Sequence, residues 1–84
     1  MLEIYKDGFL FRKSKRKNKK YDVFKNNIYL LSFGDNRYQQ YKDKIGIYRA
    51  LDHNDKKRRD NYYARHGKES RIGTAKYFSH KYLW

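Results

Sequence analysis

Residues 52–67 read DHNDKKRRDNYYARHG, and this stretch decides how the rest of the chain is arranged. It predicts a helix. Asp52 or Asn54 can cap its start by accepting a backbone N–H, and Asp55 stands in the first turn, where the helix dipole favours an anion. Arg65 and His66 fall in the last turn, and Gly67 can take the left-handed conformation that ends a helix. An amphipathic helix needs an apolar face, and here it must come from Tyr62, Tyr63, Ala64 and the arginine stems. Arg58 precedes Tyr62 by four residues and Arg59 precedes Tyr63 by four, so each pair shares a face and a guanidinium can stack on each ring. Asp55 and Arg59 have the same spacing and can pair. Arg beside Tyr is contact chemistry, which marks the helix as a candidate binding surface as well as a solvated one.

The 84 residues are enough for one small domain, which buries only about 60% of its unfolded surface. Hydrophobic residues make up 38% of the chain and aromatic residues 19%. That aromatic share argues against a disordered chain, and large rings can stand in for the missing aliphatics. The net charge of +13 repels itself in any compact state, so an acidic partner is expected, with nucleic acid foremost and an acidic protein surface or an anionic membrane as the other candidates. There is no apolar run of the roughly 20 residues that a membrane span needs, and residues 1–20 lack the apolar centre of a signal peptide. The chain has no cysteine and hence neither disulfide nor thiolate metal site.

Upstream of the helix, residues 9–12 and 21–25 read as strands. Asn26 and Asn27 suit a two-residue hairpin turn, and IYLLSF at 28–33 is the most apolar run and the expected central strand. Between the first two strands lies RKSKRKNKK, residues 12–20, with seven cations in nine positions. It is expected to be a solvated loop or strand extension and an interaction arm. Gly34 is expected to turn the chain out of the sheet, with Asp35 or Asn36 capping a short helix over residues 37–43. Downstream, Thr74 can cap a last helix over 75–83, whose apolar members Ala75, Tyr77, Phe78, Tyr82 and Leu83 should cover one face of the sheet. Trp84 is expected to dock as a plug that pins the end of the last helix, with an exposed anchor for a partner as the alternative. The fold class is therefore α+β: a three-stranded antiparallel meander (1–34) followed by two to three short helices packed on it (35–84).

The chemistry-bearing residues exclude more than they include. His53, His66 and His80 are scattered without a metal-ligand spacing, no phosphate-cradling glycine loop occurs, and no serine or threonine stands beside a base. No catalytic set, cofactor or metal is expected. The candidate binding residues are instead Arg12, Lys13, Lys15, Arg16, Lys17, Lys19 and Lys20 in the arm, and Lys56, Lys57, Arg58, Arg59, Tyr62, Tyr63, Arg65 and His66 on the helix.

Several short pieces come in a recognisable order: Phe33-Gly34-Asp35, Tyr38 and Tyr41, Asp55, Arg58 or Arg59, Tyr62 or Tyr63, Arg65-His66, then Ala75 and Ser79 closing on Leu83-Trp84. In this the last fifty or so residues resemble small basic proteins of large double-stranded DNA viruses, both the nucleocytoplasmic large DNA viruses of eukaryotes and large phages. Two differences stand out: Phe78 occupies a position where such proteins often have tryptophan or another aromatic, and Lys42-Asp43-Lys44 replaces a threonine-rich stretch. The resemblance implies a viral origin. It gives the expectation of a non-enzymatic virion component, a minor capsid or internal protein set against acidic capsid proteins or packaged DNA. The alternative is a free nucleic-acid-binding module acting in the host cytoplasm or nucleus during infection.

Overall fold

The computed structural model describes residues 3–84. Four antiparallel strands run in simple meander order: β1 (Glu3–Lys6), β2 (Phe9–Lys13), β3 (Lys19–Lys25) and β4 (Ile28–Asp35). A single 3₁₀ turn, Arg49–Leu51, then leads to α1 (Lys56–His66) and α2 (Ala75–Tyr82). The α+β class and the antiparallel meander are as expected, with one strand more than the three expected. The turn that adds β1 is Asp7-Gly8, whose φ values of 54° and 85° suit a tight hairpin. Asn26 and Asn27, at φ 51° and 64°, make the expected turn between β3 and β4.

The apolar run in β4 is not central. It forms one edge of the sheet and leaves Ile28 64% and Leu30 43% exposed. Its register against β3 shifts between Val23 and Phe24, a bulge that interrupts the alternation in the middle of the run. Gly34 does not leave the sheet either. It stays within β4 at φ 76°, and a Cβ there would come within 3.0 Å of Leu83 and of the Lys20 stem. Glycine is needed both for the dihedral and for the close approach.

One face of the sheet presents Phe9, Phe11, Tyr21, Val23, Leu31 and Phe33, and α2 lies across it. The Phe78 ring meets Phe9, Phe11 and Phe33 at centroid distances of 5.1, 6.1 and 5.6 Å, and Tyr82 meets Phe11 at 4.9 Å. These rings supply the area that a scarcity of aliphatics would otherwise forfeit. Thr74 caps α2 as expected by accepting from the Tyr77 amide, although Ala75 is exposed and takes no part in the buried stripe.

The expected helix over 37–43 is absent. Residues 36–55 form an irregular segment held by a buried polar network. The Asp43 carboxylate accepts from the amides of Ile45, Gly46 and Tyr48 at 2.9, 3.0 and 2.8 Å, and from the Tyr21 hydroxyl. Asp52 accepts from the Asp43 amide at 2.7 Å and from the Gln40 side chain. Gln40 in turn accepts from the Lys20 ammonium. A helix here would remove these carboxylates from the amides they satisfy, which is why the local propensity of RYQQYKD loses.

Candidate functional site

α1 forms where the sequence puts it, with a different cap. Asp55, not Asp52 or Asn54, is the N-cap and accepts from the amides of Lys57 and Arg58. Asp52 is engaged in the buried network, and Asn54 takes a left-handed φ of 53° instead. Gly67 ends the helix at φ 76° with its amide on the Tyr63 carbonyl. α1 is not laid on the sheet. Side chains tie it to α2 and to the last residues: the Tyr62 hydroxyl meets His80 Nδ1 at 3.0 Å, the Tyr63 hydroxyl donates to the His80 carbonyl at 3.3 Å, and Tyr62 stacks on Trp84. Among the described residues the Asp55–Arg59 ion pair does not form. Arg59 Nε instead donates to the Trp84 backbone oxygen at 2.7 Å, and its guanidinium lies over the rings of Tyr41 and Tyr63.

These contacts divide the expected site. Lys56, Lys57, Arg58, Arg65 and His66 stay exposed along α1. Arg59 and Tyr63 are half-buried packing groups and Tyr62 is buried, so none of the three is a free contact residue. Burial pushes the Tyr62 hydroxyl up to about 12.

The arm divides in the same way. Lys15, Arg16, Lys17 and Lys19 are exposed at or next to the β2–β3 turn, and Lys13 is exposed at the end of β2. Arg12 is tied down on the sheet, paired with Glu3 at 2.9 Å and stacked over Phe24. Lys20 corrects the expectation of a wholly solvated arm. It is only 2% exposed, covered by Gln40 and the C-terminal segment. Burial pulls its ammonium down to about 8, while the carboxylates of Asp43, Asp35 and Asp52 hold it up.

Two hydrogen bonds link the basic turn to α1 through the turn that follows β4. The Asn36 amide donates to the Asn18 carbonyl at 3.3 Å, joining the basic turn to the turn that follows β4. Arg58 then donates to Gln39 at 2.8 Å, joining that same turn to α1. Arg37 and Tyr38, which sequence reasoning placed on a short helix, stand between the two. Arg37 grips Asp35 through two bonds of 3.0 and 2.7 Å, which holds that carboxylate down at about 2, and Tyr38 is 64% exposed. Their exposure has no signature in the sequence, because it depends on the loss of the helix that would have carried them.

The ion pairs among the described residues are Arg12–Glu3, Arg37–Asp35 and Lys81–Asp7. Lys15, Arg16, Lys17, Lys56, Lys57, Arg58 and Arg65 therefore have no carboxylate partner there. The three histidines do not converge on a metal. His80 lies between the Tyr62 hydroxyl and the Gly67 carbonyl, and His53 accepts from the Asp55 amide. No group of three or more His, Asp or Glu side chains among the described residues is disposed to hold an ion. No helix there is long and apolar enough to cross a membrane.

No curated protein and no solved structure matches the chain. A family model described as a family of unknown function, DUF5754, matches residues 10–66. That span runs from β2 to the end of α1 and takes in the basic turn, the buried polar network and the helix cations. It covers more than half of the 84 residues, so the chain belongs to the family of unknown function DUF5754.

Proposed function

We propose that this is a non-enzymatic basic protein of a large DNA virus, a virion component whose exposed cations lie against packaged DNA. One observation carries the contact with DNA, and the resemblance of the last fifty or so residues supports the viral setting. Lys15, Arg16 and Lys17 on the β2–β3 turn and Lys56, Lys57, Arg58 and Arg65 on α1 are exposed, have no carboxylate partner among the described residues, and occupy elements linked through the 35–39 turn. Cations left unpaired beside one another raise the energy of the isolated molecule, and a phosphate backbone relieves that repulsion and releases its own counterions. An acidic capsid surface would offer charge at fewer, fixed places, so packaged DNA is the better match to cations spread over a loop and a helix.

The test is the salt dependence of binding to generic duplex DNA. Affinity should fall steeply with salt, by about 0.9 log units per log unit of salt for each phosphate neutralised. An affinity that stays level from low to moderate salt would remove the proposal. Purified particles separate the virion reading from a free module acting in the infected cell: a virion component co-purifies at fixed stoichiometry.

A further inference from the structure

Two adjoining clefts flank α1 and share Arg65 and Trp84. One runs along the helix past Arg58, Asn61 and Ala64. The other reaches the 35–39 turn and is lined by Tyr38 and Gln39 together with His66, Ser79, Gly34 and Leu83. Through Arg65 and Trp84 they adjoin as one furrow along α1 that reaches the turn at one end. The part toward the turn has a volume of about 410 Å³ and the part along the helix about 520 Å³, both within the range of a small-molecule site.

We infer that this furrow takes an unpaired nucleotide of a single-stranded nucleic acid, with its base against Tyr38 and Trp84 and its phosphate at Arg58 and Arg65. The inference rests on the proposed nucleic-acid reading and adds a strand preference to it. Tyr38 offers a ring that is 64% exposed, with the Arg37 guanidinium 5.5 Å from its centroid. Trp84 is half-buried, and its stack on Tyr62 fixes the indole in place, so a base meeting it would not have to order a loose side chain. The amide of Gln39, the hydroxyl of Ser79 and the imidazole of His66 give the cleft by the turn donors and acceptors for a base edge.

The one aspartate in the lining, Asp35, is already neutralised by Arg37, and Lys20 lines the same cleft. Arg58 and Arg65 lack carboxylate partners among the described residues and lie on the same side of α1. A base paired within a duplex keeps both ring faces against its neighbours and has none to offer Tyr38, whereas an unpaired base does. An acidic peptide would satisfy the arginines and leave both rings idle.

The chain's single tryptophan makes the furrow its own reporter. Trp84 emission should be followed while the full chain is titrated with oligothymidylate, with a duplex of the same length, and with polyglutamate. Oligothymidylate should quench Trp84. Tyr38→Ala should weaken its binding about tenfold, the loss of one stacked base, and Tyr38→Phe should restore it. Duplex affinity should not change in either variant.

Failure of both DNAs to bind would overturn the nucleic-acid reading and this inference with it. Duplex binding that weakens with salt, together with no quenching by oligothymidylate, would overturn the furrow inference alone. Quenching by polyglutamate equal to that by oligothymidylate, unaffected by Tyr38→Ala, would assign the furrow to acidic chains instead.

Discussion

The rings of Tyr62 and Trp84 lie face to face, with centroids 4.2 Å apart and planes 6° from parallel. This stack, together with the bond from Arg59 to the Trp84 backbone oxygen, fastens a highly charged helix to the rest of the molecule. Without it α1 would depend on the bonds of Tyr62 and Tyr63 to His80 and on that of Arg58 to Gln39.

Trp84→Ala should therefore lower stability by about 2 kcal/mol, less than a fully buried tryptophan would cost because Trp84 is half-buried. For a domain of this size the melting temperature should drop by ~10 °C. Differential scanning calorimetry checks it, and an unchanged transition would mean that the stack contributes nothing to holding α1.

The helix cations should separate into two kinds. Lys56→Gln, Lys57→Gln and Arg58→Gln together should leave the melting temperature nearly unchanged. They should reduce the salt slope of DNA binding by up to about 2.7, at about 0.9 for each phosphate no longer neutralised. Arg59→Gln should lower stability, because its guanidinium is packed on Tyr41 and Tyr63 and bonded to the Trp84 oxygen. Equal behaviour of the triple variant and Arg59→Gln in melting and in binding would contradict this division.

Asp43 is 2% exposed and satisfies three backbone amides and the Tyr21 hydroxyl. Asp43→Ala should cost at least ~4 kcal/mol, since each buried donor left without a partner costs about 1–3 kcal/mol. Against a typical total of about 5–15 kcal/mol, the variant should be largely unfolded at 37 °C. Urea denaturation followed by circular dichroism measures it, and a loss below about 1 kcal/mol would show that water replaces the carboxylate.

Lys20 predicts an unusual pH dependence. Burial lowers its ammonium from 10.5 to about 8, so between those values the unfolded chain binds the proton and the folded chain does not. Stability therefore rises with pH across that window, by at most about 3 kcal/mol, and the penalty for burying the charge is fully present below it. Above about 10 the trend should reverse. Tyr21, Tyr62 and Tyr82 have hydroxyls pushed up chiefly by burial, so the unfolded chain ionises first there. Lys20→Met should flatten the rise between pH 8 and 10 in urea titrations. A rise of the same size in that variant would assign it to other groups.

Local chemistry made much of the fold legible. The Asn26-Asn27 turn, the Thr74 cap, the Gly67 stop and the extent of α1 each depend on a backbone dihedral or one short hydrogen bond. The Asp7-Gly8 turn carries the same kind of signal, and reading it would have supplied β1. The candidate site was legible only in part. Lys15, Arg16, Lys17, Lys56, Lys57, Arg58 and Arg65 are exposed as their charge requires, whereas Lys20, Arg59 and Tyr62 are not available for binding.

The sequence by itself determined the antiparallel hairpins, the two helices and the surplus of positive charge, because turn dihedrals, helix caps and ionised side chains are settled within a few residues. Only the tertiary structure decided that residues 36–55 wrap around a buried Asp43–Tyr21 bond instead of forming a helix, that the IYLLSF run lies at an edge, and that Tyr38 and Trp84 line one furrow. The physical reason is that a buried carboxylate or ammonium is tolerable only beside partners that satisfy it. Those partners, Tyr21 for Asp43 and Gln40 for Lys20, are about twenty residues away along the chain and meet only on folding.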